Sequence, residues 1–143
     1  MEPESKTQFS GEPINLWQDH SLQFLEMAFR TDKQCRLASP DGYGRNTGIC
    51  GDTVEIFLRV ADGRIKEVVY DIDGCMNTNA AANTIAFLGE GKPLPEAWHI
   101  TAEMVASYLQ TLPEDHFHCA ELVAGAFYQA LKSIKDDGSE PPA

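Results

Sequence analysis

Thr53-Val54-Glu55-Ile56-Phe57-Leu58-Arg59-Val60, then Ala61-Asp62-Gly63, then Ile65-Lys66-Glu67-Val68-Val69-Tyr70-Asp71-Ile72 is the stretch on which the fold turns. Its first part, residues 52–60, alternates with a period of two. Val54, Ile56, Leu58 and Val60 face one way, and Glu55, Phe57 and Arg59 the other, as a half-buried strand requires. The Asp-Gly pair is a hairpin signal. Residues 65–72 then read as the return strand, with Val68, Tyr70 and Ile72 on one face. A hairpin with one apolar face needs a cover, and helices are the usual one.

Outward from the hairpin the period changes. On the N-terminal side, residues 14–29 place Trp17, Leu22, Leu25 and Phe29 at helical intervals. His20 on that helix reads as a surface residue. Residues 33–39 (Lys-Gln-Cys-Arg-Leu-Ala-Ser) are the expected edge strand, and Pro40-Asp41-Gly42-Tyr43-Gly44 is turn chemistry. On the C-terminal side, Ala81, Ile85 and Leu88 mark a helix that begins after Gly74-Cys75 and ends at Gly89-Glu90-Gly91-Lys92-Pro93. Residues 95–99 make a short link of one helical turn. Thr101 caps a helix bearing Met104, Val105, Tyr108 and Leu109. Pro113 redirects the chain. Leu122, Val123, Ala126, Phe127, Ala130, Leu131 and Ile134 form the last amphipathic helix. The expected class is therefore α+β, a small three-stranded antiparallel sheet with helices packed on one face. One domain spans 14–134, between a flexible arm at 1–13 and a disordered acidic tail at 135–143.

Composition narrows the function classes. The chain has 143 residues, a formal net charge of −11 and a pI near 4.6. That balance opposes a nucleic-acid surface, which needs a basic patch. No apolar run approaches the roughly 18 residues of a membrane span. Met1-Glu2-Pro3-Glu4-Ser5 lacks the basic-then-apolar layout of a secretion signal. A cytoplasmic location is expected, where thiols stay reduced, so four cysteines point to metal or catalysis before disulfides.

Three of them sit at seams between elements. Cys50 lies in Thr47-Gly48-Ile49-Cys50-Gly51-Asp52-Thr53, between glycines and ahead of the long strand. Asp73-Gly74-Cys75 stands ahead of one helix, and His118-Cys119 ahead of another. The positive end of a helix dipole favours thiolate, the form that binds soft metals and attacks persulfide sulfur. Asp52 adds a carboxylate oxygen and His118 an imidazole. Three sulfurs with one oxygen or nitrogen suit a zinc ion or the two irons of a [2Fe–2S] cluster. An oxygen ligand would hold a cluster less firmly than a fourth thiolate. The spacing excludes the paired C-x-x-C of zinc ribbons. Cys35 falls outside these seams and reads as a small, partly buried residue; His116 reads as a surface residue. On spacing alone, an α+β domain holding structural zinc stays open.

The three motifs together, Gly48-Ile49-Cys50-Gly51-Asp52, Asp73-Gly74-Cys75 and His118-Cys119-Ala120-Glu121-Leu122, resemble the signature of the IscU/NifU N-terminal family, scaffolds for iron–sulfur cluster assembly. The resemblance covers roughly residues 41–134. It implies a three-stranded sheet against helices, and a scaffold rather than an enzyme turning over a small substrate. By it Cys50, Cys75 and Cys119 are the cluster-ligating and sulfur-accepting cysteines, Asp52 the residue that keeps the cluster labile, and His118 the histidine beside the last ligand. It implies sulfur from a cysteine desulfurase, iron, a transient [2Fe–2S] cluster, and apoproteins or carriers as recipients. Zinc can occupy the same site, and the alternative is a zinc-bound SufU-like sulfurtransferase that accepts persulfide without building a cluster. That branch carries an insertion between its second and third cysteines and lacks the histidine, traits this chain does not share. Two departures stand out. Where IscU proteins carry Leu-Pro-Pro-Val-Lys for a DnaK-type chaperone, this chain has Leu112-Pro113-Glu114-Asp115-His116, which sets that partner in question. After Cys75, Met76-Asn77-Thr78-Asn79 replaces the family's small residues.

Overall fold

The computed structural model describes residues 21–49 and 51–134. In chain order it has α1 (Leu22–Phe29), β1 (Gly42–Thr47), β2 (Thr53–Ala61), β3 (Arg64–Asp73), α2 (Met76–Gly89), α3 (Leu94–Ala97), α4 (Ala102–Leu109), a 3-10 turn (Glu114–His116) and α5 (Phe117–Ser133). The arm at 1–13, His20 and the tail at 135–143 lie outside the described residues, as does the start of the expected first helix.

The sheet is an antiparallel meander in the order β1-β2-β3. The hairpin expected from Asp62-Gly63 is there: both residues have positive φ, 55° and 74°. That is the combination a type I′ turn demands, and its twist matches that of the flanking strands. Val54, Ile56 and Leu58 of β2, with Val68 and Tyr70 of β3, are buried beneath the helices.

The third strand is not where the sequence put it. Residues 33–39 contribute one parallel bridge, Gln34 to Tyr70, on the outer edge of β3. The edge strand is Gly42–Thr47, the segment whose glycines looked like turn chemistry. Its register explains the glycines. Gly44 stands opposite Ile56, and Ile56 opposite Tyr70, so a row that is large on two strands has no side chain on the third. Helix α5 fills that space. A Cβ on Gly44 would lie 2.1 Å from the Ala126 carbonyl oxygen, and one on Gly42 would lie 2.6 Å from that of Ala130. The glycines thus serve close backbone approach.

The outer edge of β3 is covered in pieces, the usual defence of an exposed strand edge. The Cys35 amide donates to Tyr70 O (2.8 Å) and the Ile65 amide to Lys92 O (3.0 Å). Between them Glu90 accepts from the Val68 amide (2.9 Å) while pairing with Lys33 (2.5 Å). On the sheet's other face Phe57 is only 3% exposed, because the Arg36 guanidinium stacks 5.0 Å from its ring centroid and Tyr43 packs beside it. Helices α1, α2, α4 and α5 share the inner core. A buried bridge ties them to the sheet: Tyr70 donates to Asn83 Oδ1 (2.8 Å), and Asn83 Nδ2 to Met27 O (2.6 Å).

Candidate functional site

Cys75 is the N-cap of α2, its backbone extended at φ −92°, ψ 176°. Its side chain caps nothing. The helix start is served instead by Asp52, which arrives from the turn ahead of β2. That turn closes through the Gly48 amide on Asp52 O (2.9 Å) and the Gly51 amide on Gly48 O (3.0 Å). Asp52 Oδ2 accepts from the Thr78 hydroxyl (2.8 Å) and from the Cys75 amide (3.3 Å). A carboxylate at a helix N-terminus is favoured by the unpaired amides and the dipole there. Gly74 makes room for it, since a Cβ at that position would stand 2.8 Å from Asp52 Oδ2.

The Cys75 thiol is exposed, and its Sγ lies 3.6 Å from Thr78 Oγ1. Partial burial opposes its ionisation. The Thr78 hydroxyl and the amides of Thr78 and Asn77 outweigh that, and hold the pKa below the ordinary thiol value despite the nearby Asp52 charge. This is the environment of a reactive cysteine. Asn77 Oδ1, in the same first turn, is buried with no hydrogen-bond partner.

The second half of the candidate site is the start of α5. Pro113 opens a 3-10 turn, Glu114–His116, that runs straight into the helix. Cys119 is therefore the third residue of α5 and not the residue ahead of it, as the sequence suggested. It is buried (1% exposed), with its Sγ 3.7 Å from His118 Nε2. His116, in the lysine's place of the altered segment, stacks on His118 with ring centroids 5.8 Å apart, and its Nδ1 meets Asp115 Oδ1 at 3.2 Å.

The fold thus joins Asp52 to Cys75, and His118 to Cys119, in two pairs. Cys50 lies outside the described residues; beside its position Ile49 is 98% exposed. Among the described residues no three His, Cys, Asp or Glu side chains converge on a point that would hold a metal ion. Cys35 is exposed on the edge of β3, and not partly buried as expected. No helix among the described residues is long and apolar enough to cross a membrane. Sequence reasoning missed Thr78, which touches both Asp52 and Cys75. Its signal was slight: a hydroxyl three residues after an N-cap, where a capping partner often stands.

Comparison with known proteins bears on the family and the fold. The model of the NifU-like N-terminal domain matches residues 36–138. The iron–sulfur cluster assembly scaffold protein IscU 1 of Archaeoglobus fulgidus is 32% identical over 97 residues, covering 67% of this chain and 63% of that protein. The mitochondrial iron sulfur cluster assembly protein 1 of Debaryomyces hansenii is 32% identical over 92 residues, 63% of this chain and 51% of that one. The chain therefore spans less than two thirds of these relatives' length. Among solved structures, the N-terminal part of a NifU-like protein from Brucella abortus superposes with a TM-score of 0.67 at 17% identity, covering 80% of this chain and 93% of that one. A putative iron–sulfur cluster assembly scaffold for the SUF system from Fervidobacterium islandicum gives 0.68 at 15%, covering 80% and 97%. At such identities the structures speak to the fold.

Proposed function

The chain belongs to the NifU-like N-terminal domain family, and from that premise we propose that it is a scaffold on which an iron–sulfur cluster is assembled and handed on. The observation that carries the reading is the Asp52–Thr78–Cys75 contact: an exposed thiol with depressed pKa, beside a carboxylate held by the same hydroxyl.

Sulfur arrives by exchange. The Cys75 thiolate attacks the terminal sulfur of a desulfurase persulfide. A new S–S bond forms at Cys75, the old one breaks, and the desulfurase cysteine leaves as thiolate. The proton on the transferred sulfur travels with it. Exposure and depressed pKa support Cys75 as this acceptor, in preference to the buried Cys119. Building sulfide takes two electrons per sulfane sulfur. Oxidation of the two ferrous ions to ferric supplies half of these, and a one-electron redox protein supplies the rest. Cys50, Cys75 and Cys119 then hold the [2Fe–2S] cargo with Asp52 or His118, and the hard or neutral fourth ligand keeps it transferable to an apoprotein or carrier.

Anaerobic reconstitution with ferrous iron, free cysteine, a desulfurase and a reduced one-electron redox protein tests this. The expected outcome is charge-transfer absorption with about two irons per site. Cys50→Ala, Cys75→Ala and Cys119→Ala should each impair loading. Three variants that load like the parent sink the proposal. Tight zinc and persulfide relay without visible absorption would replace it with the sulfur-carrier reading.

A further inference from the structure

We propose that the acidic segment following α5 folds back as a strap along the free edge of β1, with Asp136 against Lys132 and Asp137 against Arg45. The proposal stands apart from the scaffold reading and uses no residue of the candidate site.

Strand β1 is an outer strand of the sheet, so one of its edges has no partner strand. A groove of about 350 Å³ runs there, lined by Tyr43, Gly44 and Arg45 of the strand and by Gln129, Lys132 and Ser133 of α5. The Tyr43 amide faces this edge and donates to Ser133 Oγ (2.8 Å). Amides alternate in direction along a strand, so that of Arg45, two residues on, faces the groove as well. Two cations flank it. Among the described residues neither Arg45 nor Lys132 makes an ion pair. Glu55 stands opposite Arg45 in the sheet, but its two oxygens serve others, one the Arg36 guanidinium (2.5 Å) and one the Tyr43 hydroxyl. A groove with two cations and an amide, none of them matched to an acid of its own, is a seat for carboxylates.

The chain brings carboxylates to it at the right distance. Helix α5 ends at Ser133, and Ile134 is extended (φ −68°, ψ 136°), so the chain leaves the helix there. It leaves against the start of β1: a Cβ on Gly42 would stand 2.9 Å from Ile134 Cγ1. Arg45 lies three residues further along β1, about 10 Å away. Three extended residues beyond Ile134 reach Asp137. The segment reads Lys135-Asp136-Asp137-Gly138-Ser139-Glu140, one base and three acids. Neighbouring side chains of an extended chain point to opposite sides. The cations of the groove also stand on opposite walls, Lys132 on the helix and Arg45 on the strand. Asp136 and Asp137 thus meet one cation each. The tether keeps the segment at high local concentration, and salt loosens the contact. Seated there, the strap covers an edge that another chain's strand would otherwise find open.

The test compares ¹⁵N spectra of the 143-residue chain at about 0.01 M and about 1 M salt, between which the screening length falls from about 30 Å to about 3 Å. At low salt the heteronuclear NOE of the Asp137 amide should lie nearer the values of α5 than those of a free chain end. The Arg45 amide resonance should move by more than its line width as salt rises. Asp136→Asn/Asp137→Asn should hold that resonance at its high-salt position throughout, and this variant leaves every described residue unchanged. Arg45→Asp/Lys132→Asp should abolish the Asp137 order, and adding Asp136→Lys/Asp137→Lys to it should restore order at residue 137. An Arg45 resonance indifferent to Asp136→Asn/Asp137→Asn overturns the strap. So does an Asp137 amide equally mobile in the parent and in Arg45→Asp/Lys132→Asp. A displacement that grows with protein concentration assigns the groove to the same segment of a second copy, and overturns the strap as well.

Discussion

The carboxylate of Asp52 and the hydroxyl of Thr78 meet at 2.8 Å, although one precedes the central strand and the other lies in the first turn of α2. This contact closes the β-hairpin onto the helix start that carries Cys75. Asp52 is thus a structural cap as well as a candidate ligand. Asp52→Ala should fold, but with about 1–2 kcal/mol less stability, because a buried hydroxyl loses its acceptor. It should also pass a bound cluster to an acceptor more slowly than the parent. Urea denaturation measures the first effect and stopped-flow transfer the second. An unchanged transfer rate counts against Asp52 as the labile ligand.

Cys75 should alkylate at lower pH than a free thiol, whose pKa is about 8.5. The direction follows from the Thr78 hydroxyl and the α2 amides stabilising the thiolate against burial. A pH–rate profile with iodoacetamide in a Cys35→Ser/Cys50→Ser chain would show a midpoint below that value. Thr78→Val should move the midpoint up.

Gly44→Ala should be among the costliest single-methyl additions in the chain. The new Cβ would meet backbone atoms of α5, Ala126 O at 2.1 Å and Ala130 N at 2.5 Å, and neither is the end of a flexible side chain. Helix and strand would have to separate. Overpacking of this kind costs about 1–3 kcal/mol, and the upper end is expected here. Thermal or chemical unfolding of the variant decides it. A change at Gly63, where nothing stands within 4 Å of a Cβ, would act only through its positive φ.

Tyr70 makes stability fall in strong alkali. Burial, only partly offset by its bond to Asn83, pushes its pKa up to about 12. The unfolded chain binds this proton less tightly, with a pKa near 10. The folded state is therefore favoured while the phenol is neutral. That advantage is complete below about pH 10 and is lost as pH rises through about 12. The slope of stability over that interval should be shallower in Tyr70→Phe, and ultraviolet titration of the parent should carry a component near pH 12 that Tyr70→Phe lacks.

The hairpin was legible because its two strands alternate against a helical layer and its turn is spelled Asp-Gly. Residues 42–47 were not, because that strand meets α5 through absent side chains. A strand that buries glycine has no apolar alternation to read. Lys33-Gln34-Cys35 was placed at a sheet edge correctly but reads longer than it pairs: a single bridge to Tyr70 holds it, and the chain then crosses the open face with Arg36 on Phe57. Cys75 stood out as a helix start because Asp-Gly precedes it. The sequence set Cys119 ahead of the last helix, three positions before its observed place in it, since Pro113 reads as a break, whereas here it begins a 3-10 turn that feeds the helix. Thr78 was invisible for another reason. Its meaning lies in a contact with Asp52, and nothing in a helix's own first turn records what arrives from a distant loop.

The glycine seam between β1 and α5 also sets a schedule. Strand β1 precedes the hairpin, and α5 is the last element of those described. During synthesis β2 and β3 can pair at once, a local event, but the inner side of β1 stays bare until α5 has emerged. Until then the chain carries a flat, glycine-notched strand with nothing seated on it, and the first turn bearing Cys119 does not yet exist. The two halves of the candidate site are completed at different times, the Asp52–Cys75 half first, and a nascent chain stalled before α5 is the form most exposed to misassociation.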